Sequence, residues 1–203
     1  MATVTPDLIR RLKDITGAGM MDCKKALEES GGDIEEAVVL LRERGIAKAA
    51  KRAGRATAQG VIEAYLHRTG DYPPQTGTLV ELNCETDFVA KGDDFRALAK
   101  ELAMHVAAAA PRWVAREDVP PDVVEQERAI YRKEAEESGK PAAALDKIVE
   151  GKLGAFYKDN VLLEQAWIRD QKVPISDLIA ENVSKLQENI VIRRFARFSI
   201  KED

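Results

Sequence analysis

The chain has 203 residues, 45% of them hydrophobic and 33% charged, which leaves room for one domain of ordinary size beside a small one and enough apolar content for a core. The formal net charge of -4 argues against a dedicated nucleic-acid binder, whose working face is strongly basic. The 2 cysteines, Cys23 and Cys84, form neither a CxxC pair nor a Cys/His cluster, so no zinc site is predicted and a cytoplasmic setting fits.

The N-terminal segment from Met1 to Pro6 lacks the basic start and apolar run of a signal peptide, and no apolar stretch is long enough to span a bilayer. Residues 1–45 read as three short helices. Thr5 caps the first, Pro6 suits its first turn, and Leu8, Ile9, Leu12 and Ile15 form a buried stripe that Gly17-Ala18-Gly19 ends. A second helix runs from Met20 to Ser30 with Met20, Cys23 and Leu27 on one side, and Gly31-Gly32 breaks it. Asp33 and Glu36 predict a capping box for the third, with Ile34, Ala37, Val38 and Leu41 as its apolar face and Gly45 as its stop. Helices this short have a small core, so a compact bundle is expected.

Residues 46–59 read as a basic, alanine-rich connector, partly helical. Composition then changes. Gly60 to His67 and Thr78 to Cys84 predict two antiparallel strands around a loop with strong turn chemistry, Thr69 to Gln75. In the second strand Val80, Leu82 and Cys84 share one face, and Glu81 and Asn83 the other. A helix follows, capped by Asp93 or Asp94, with Phe95, Leu98, Leu102 and Val106 at helical spacing and an end at Pro111. Pro120-Pro121 opens another, carrying Val123, Val124, Ile130 and Tyr131, and Gly139-Lys140-Pro141 breaks it. Leu145, Ile148, Val149, Leu153 and Phe156 mark the return helix of a hairpin over 120–158, whose charged outer faces predict a projection from the body. Ser176 begins a last helix with Leu178, Ile179, Val183 and Leu186, and Ile190 to Ile200 reads as a third strand. The expected fold is α+β: a three-helix bundle (1–45), the connector (46–59), and a core (60–203) of a three-stranded antiparallel sheet with helices and a protruding helical hairpin.

The segment Glu81-Leu82-Asn83-Cys84-Glu85-Thr86-Asp87-Phe88-Val89-Ala90-Lys91 carries the most functional information. A strand ends, and an aspartate and a large aromatic follow at once in a turn. That places an apolar plug beside an anion at the rim of a sheet, which suits a partner's pocket better than chemistry. The same spacing fits Phe88 as a core residue at a strand end and Asp87 as a helix cap.

Two segments resemble the elongation factor Ts family. One is Leu12-Lys13-Asp14-Ile15-Thr16-Gly17-Ala18-Gly19-Met20-Met21-Asp22-Cys23-Lys24-Lys25-Ala26-Leu27, similar to its N-terminal signature, with Lys13 where the family usually has arginine. The other is the segment 81–91, which matches throughout. The charged hairpin and the terminal Ile192-Arg193-Arg194-Phe195-Ala196-Arg197-Phe198 also look like the family, so the likeness covers essentially the whole chain. The resemblance implies a cytoplasmic guanine-nucleotide exchange factor of translation elongation, a non-catalytic protein without a cofactor, whose partner is elongation factor Tu. It implies that Thr86, Asp87, Phe88 and Val89 press into the GTPase domain and disturb its magnesium site. It also implies a second grip from the N-terminal bundle, for which the adaptable thioethers of Met20 and Met21 are candidates. Longer relatives carry two similar core halves; this chain has a single unit of the short form, and such members are expected to pair as homodimers, making the core a dimerisation-type domain.

Other classes compete. The N-terminal helices, with Gly17-Ala18-Gly19-Met20 and Asp33-Ile34-Glu35-Glu36-Ala37, resemble ubiquitin-associated (UBA) domains, so a ubiquitin-like-binding adaptor is the first alternative. An RNA- or ribosome-binding protein using Lys48, Lys51, Arg52 and Arg55 is the second, although a solvated connector is the simpler reading and no direct nucleic-acid contact is expected. Gly17-Ala18-Gly19 follows a helix and lacks a third glycine, which excludes a dinucleotide loop. His105 lies beside Val106 and one turn from Leu102, where packing is expected rather than catalysis. Both cysteines sit on apolar faces. Arg193, Arg194 and Arg197 alternate along a strand, with solvation or a subunit contact as the default.

Overall fold

The computed structural model describes residues 4–139 and 141–200. The readings placed on Met1–Thr3, on Lys140 in the hairpin turn and on residues 201–203 lie outside the described residues. The elements in chain order are α1 (Pro6–Thr16), α2 (Met20–Glu29), α3 (Ile34–Arg52), β1 (Gln59–His67), β2 (Thr76–Cys84), α4 (Asp87–Lys91), α5 (Asp93–Ala109), α6 (Pro121–Glu137), α7 (Ala142–Asn160), β3 (Ala166–Trp167), β4 (Asp170–Pro174), α8 (Ile175–Leu186) and β5 (Val191–Ser199). The fold is α+β: β1–β2–β5 is the order of a three-stranded antiparallel sheet, and β3 pairs with β4 in a small second sheet.

The chain divides into two compact units. One gathers the residues up to Ile62 with Glu81–Ala99 and Asp177–Val191; the other gathers Glu63–Val80, Lys100–Ser176 and the residues from Ile192 onward.

In the first unit, α1, α2 and α3 enclose a core of Leu12, Cys23, Ala26, Leu27 and Ala37, with Leu8, Ile9, Val38 and Leu41 packed against it. Local chemistry sets the helix ends. Thr5 Oγ1 accepts from Leu8 N, Pro6 occupies the first turn, and Gly17 at φ 65° closes α1 by donating its N–H to Lys13 O at 2.7 Å. Asp33 Oδ1 caps α3 through Glu36 N at 2.9 Å. Several expectations need correction here. Ile15 is 56% exposed and not part of the buried stripe, because the stripe closes at Leu12. Gly45 does not stop α3, which runs on to Arg52. A mid-helix glycine costs only about 1 kcal/mol, and here the backbone at Gly45 packs onto α8 beside Ser184 and the Ala180 carbonyl. Within the connector, residues 46–52 continue α3, and three of its four basic side chains have partners: Lys48 pairs with Asp22 at 2.8 Å, Arg52 donates to Gln187 Oε1 at 2.7 Å and Arg55 reaches Glu85 at 3.5 Å. Arg42 adds an ion pair to Asp177 of α8. Asp93 and Asp94 lie within the first turn of α5 rather than before it, and Asp94 pairs with Lys185 at 2.8 Å.

In the second unit, α6 and α7 form the helical hairpin. Its seam buries Ala135, Val149, Leu153 and Phe156, and near its base Val119, Phe156 and Val161 pack with Trp113, Val123, Val124, Tyr131 and Tyr157. Ile130 is 49% exposed and faces away from the seam. Ion pairs Arg128–Glu150, Arg132–Asp146 and Lys152–Glu134 cross between the helices. His105 of α5 is fully buried; its Nε2 lies 3.0 Å from Gln165 Oε1 and its Nδ1 accepts from Ile168 N at 3.4 Å. Gln165 in turn donates to the Ala109 and Asp159 carbonyls. Burial pushes the His105 imidazole below its ordinary value. Arg197 donates to the Ala107 carbonyl at 3.2 Å, so this arginine of β5 is tied to α5 rather than solvated.

Candidate functional site

β2 ends at Cys84, and its alternation buries Thr78, Val80, Leu82 and Cys84 while leaving the intervening residues partly or fully exposed. The next residues cannot continue the ladder. Thr86 adopts an extended conformation, and its hydroxyl accepts from Val89 N at 3.4 Å, capping the single helical turn α4. The cap is therefore Thr86 and not Asp87. Asp87 is the first residue of that turn, where a negative charge meets the positive end of the helix. Lys91 donates to its carboxylate at 2.6 Å, which holds the Asp87 carboxyl below the usual carboxylate range.

Within α4 the side chains divide sharply. Ala90 is buried and Val89 half-buried, so one side of the turn is anchored. Phe88 on the other side is 85% exposed, which overturns the reading of it as a core residue at a strand end. An exposed single phenylalanine on a structured turn is an apolar surface without a partner in its own chain.

The turn is held from beneath by residues that the sequence did not single out. α8 ends at Leu186, and Gln187 takes a left-handed conformation (φ 63°), donating its N–H to Val183 O. That reversal delivers Glu188 and Asn189 to the end of β2. Glu188 Oε2 accepts from Glu85 N and Thr86 N, both at 3.0 Å, and Glu188 Oε1 accepts from the Thr86 hydroxyl at 2.5 Å. Asn189 is 4% exposed; its N–H donates to Glu85 Oε1 at 2.7 Å and its side-chain amide to Arg55 O at 2.8 Å. The Cys84 thiol donates to Thr86 O at 3.2 Å, and burial pushes it up to about 11, so it stays a neutral donor near neutrality. The only signal in the sequence is that Gln187-Glu188-Asn189 interrupts an apolar helix and an apolar strand, which marks a boundary without saying what the polar groups touch.

Of the sequence-derived candidates, Thr86, Asp87, Phe88 and Val89 are gathered on one turn. Met20 and Met21 stand elsewhere, at the start of α2, 47% and 65% exposed, beside the α1–α2 turn where Ile15 is exposed too. Among the described residues no group of three or more His, Cys, Asp or Glu side chains is placed to hold a metal ion, and no helix is long and apolar enough to cross a membrane. The arrangement offers shape and apolar surface.

The family described as "Elongation factor TS" matches residues 9–202. Elongation factor Ts of Coprothermobacter proteolyticus is 55% identical over 98% of this chain and 99% of its own length. The proteins of the same name from Fervidobacterium nodosum (52% identical over 98% of this chain and 99% of its own length) and Anaeromyxobacter dehalogenans (50% over 100% and 90%) are also similar. With the match running through the N-terminal helices, the Thr86–Val89 turn, the hairpin and the last strand, the chain belongs to the elongation factor Ts family.

Proposed function

We propose that this protein is a cytoplasmic guanine-nucleotide exchange factor for elongation factor Tu, and that it works without catalytic chemistry or a cofactor of its own. A GTPase that holds GDP at nanomolar strength stabilises the complex by about 12 kcal/mol, so unaided release is slow. A factor that binds the empty state better than the loaded one shifts that balance by its differential affinity, and nucleotide weakens the factor reciprocally.

The observation that carries the reading is Phe88, 85% exposed on a turn fixed on its other side. Burying one phenylalanine contributes about 1.5–3 kcal/mol, too little to expel a nucleotide unaided but enough to wedge a pair of helices apart and misplace metal ligands. The remainder comes from a broad interface, on the order of 1,600 Å². Asp87 and Thr86 flank the ring at the point of contact, Val89 backs it, and Met20 and Met21 supply a second apolar grip. Family membership supports the choice of partner. The single core unit supports pairing with a second copy, and the exposed Leu66, Leu79, Phe198 and Ile200 of the second unit give such a pairing an apolar face. Lys48 and Arg55 are paired with Asp22 and Glu85, which lowers the positive charge this segment offers to RNA.

Competition tests the proposal. Purified elongation factor Tu should be retained on the immobilised protein when nucleotide-free and released by excess GDP. Retention indifferent to GDP contradicts exchange.

A further inference from the structure

We infer that Glu188 is a positioning residue for exchange: its carboxylate locks the Thr86 end of α4, so that Phe88 is presented on a stiff backing. The inference rests on the exchange reading above and deepens it by naming what makes the Phe88 turn rigid.

A protruding ring moves elements of another protein only if its own support yields less than they do. Otherwise the turn rotates, and the contact energy is lost in rearranging the factor itself. The support of α4 converges on Thr86. Its N–H and its hydroxyl both donate to Glu188, its hydroxyl also accepts from Val89 N, and its carbonyl receives Ala90 N at 3.2 Å and the Cys84 thiol. Every polar group of Thr86 is thus engaged, and the two donations made outside the strand and turn go to one carboxylate. Bonds to an ionised acceptor are the stronger kind, and Glu188 also accepts from Glu85 N, so it spans the junction between β2 and α4. The left-handed Gln187 and the buried Asn189 on either side fix where that carboxylate stands.

The test uses the full chain as Glu188→Ala, Glu188→Gln, Phe88→Ala and the double variant Glu188→Ala/Phe88→Ala, with two readouts. The first is amide hydrogen exchange of the free protein: Glu188→Ala should speed exchange at Glu85, Thr86 and Val89 by about tenfold or more, because those amides lose their acceptor or the cap that orders them. The second is stopped-flow release of labelled GDP from elongation factor Tu across factor concentrations. Glu188→Ala should lower the limiting rate about tenfold, as loss of positioning does, with a smaller change in the half-saturating concentration. Glu188→Gln, which keeps an acceptor oxygen, should recover some of that rate. The double variant should be no slower than Phe88→Ala alone, since both substitutions act through one turn. A normal limiting rate for Glu188→Ala beside a slow Phe88→Ala overturns the positioning role and leaves exchange through Phe88 standing. A normal rate for Phe88→Ala overturns the reading beneath it. If the alanine variant does not fold, Glu188→Leu, which fills the same space without an acceptor, decides: unchanged exchange at Glu85 and Thr86 with an unchanged limiting rate overturns the inference.

Discussion

Phe88 and Ala90 sit two residues apart on the same helical turn, one 85% and the other 8% exposed. A turn of five residues cannot hold itself together as a helix in water, since nucleation outweighs so few bonds. Its order comes from the cap at one end and the burial of Ala90 on one side. The exposed ring is therefore a feature the rest of the structure holds in place.

Thr86 is the point at which that order should fail first. Replacing it with alanine removes both the cap and the hydroxyl bond to Glu188, at a cost of about 1–2 kcal/mol. Thr86→Ser should retain most of the stability. Chemical denaturation of the two variants measures the difference; equal losses for serine and alanine would show that the hydroxyl contributes nothing.

At Gly60 the strands β1 and β2 approach too closely for any side chain. A Cβ there falls 2.3 Å from Leu82 O and 2.9 Å from Asn83 Cα, both backbone atoms that cannot swing aside. Gly60→Ala should destabilise the protein by about 1–3 kcal/mol, read as a lower urea midpoint. Gly77→Ala meets the flexible end of Leu66 instead and should cost less.

The hairpin separates two kinds of contribution. Leu153 is 2% exposed in the seam, and Leu153→Ala should cost about 2–5 kcal/mol. The Arg132–Asp146 pair lies in solvent, and Arg132→Ala should cost less than about 1 kcal/mol. Thermal unfolding of both variants ranks them; a larger loss at Arg132 would mean that charge, not packing, holds the helices together.

His105 gives stability a pH dependence. Its value in the folded chain lies below the unfolded value of 6.5 because burial disfavours the charged ring. As pH falls, the unfolded chain takes up this proton first. The stabilisation is complete above about 6.5 and is lost as pH drops towards the folded value. His105→Leu should be less stable near neutrality, since it strands Gln165 Oε1, but should lose less stability than the parent as pH falls below about 6.5. Urea titrations at several pH values check the slope; parallel curves would contradict it.

Much of this architecture is legible in the sequence because strong local signals agree with burial. Thr5-Pro6, Gly17 and Asp33 mark helix ends by chemistry that acts within one turn, and the alternation from Thr78 to Cys84 reports a sheet with one buried face. Gly45 misled because glycine lowers helix propensity locally, whereas packing on α8 is set by residues far along the chain. β3 and β4 left no trace, being short and polar around Arg169-Asp170-Gln171-Lys172. The turn at Asp87-Phe88 was visible, yet its Glu188 support was not, because a carboxylate 102 residues away carries no periodic pattern.

Met20 and Met21 should matter for affinity rather than stability. Replacing both with alanine removes exposed thioethers and should weaken binding to elongation factor Tu about tenfold while leaving the melting curve unchanged. Calorimetric titration decides; an unaltered dissociation constant removes the N-terminal bundle from the interface.

The most direct measurement is the rate at which Phe88→Ala, shown to be folded by circular dichroism, releases labelled GDP from elongation factor Tu. A fall of at least about tenfold, the equivalent of losing about 1.4 kcal/mol of barrier lowering, is what the exposed ring predicts. A release rate equal to that of the parent protein would mean that the ring does not act on the nucleotide site.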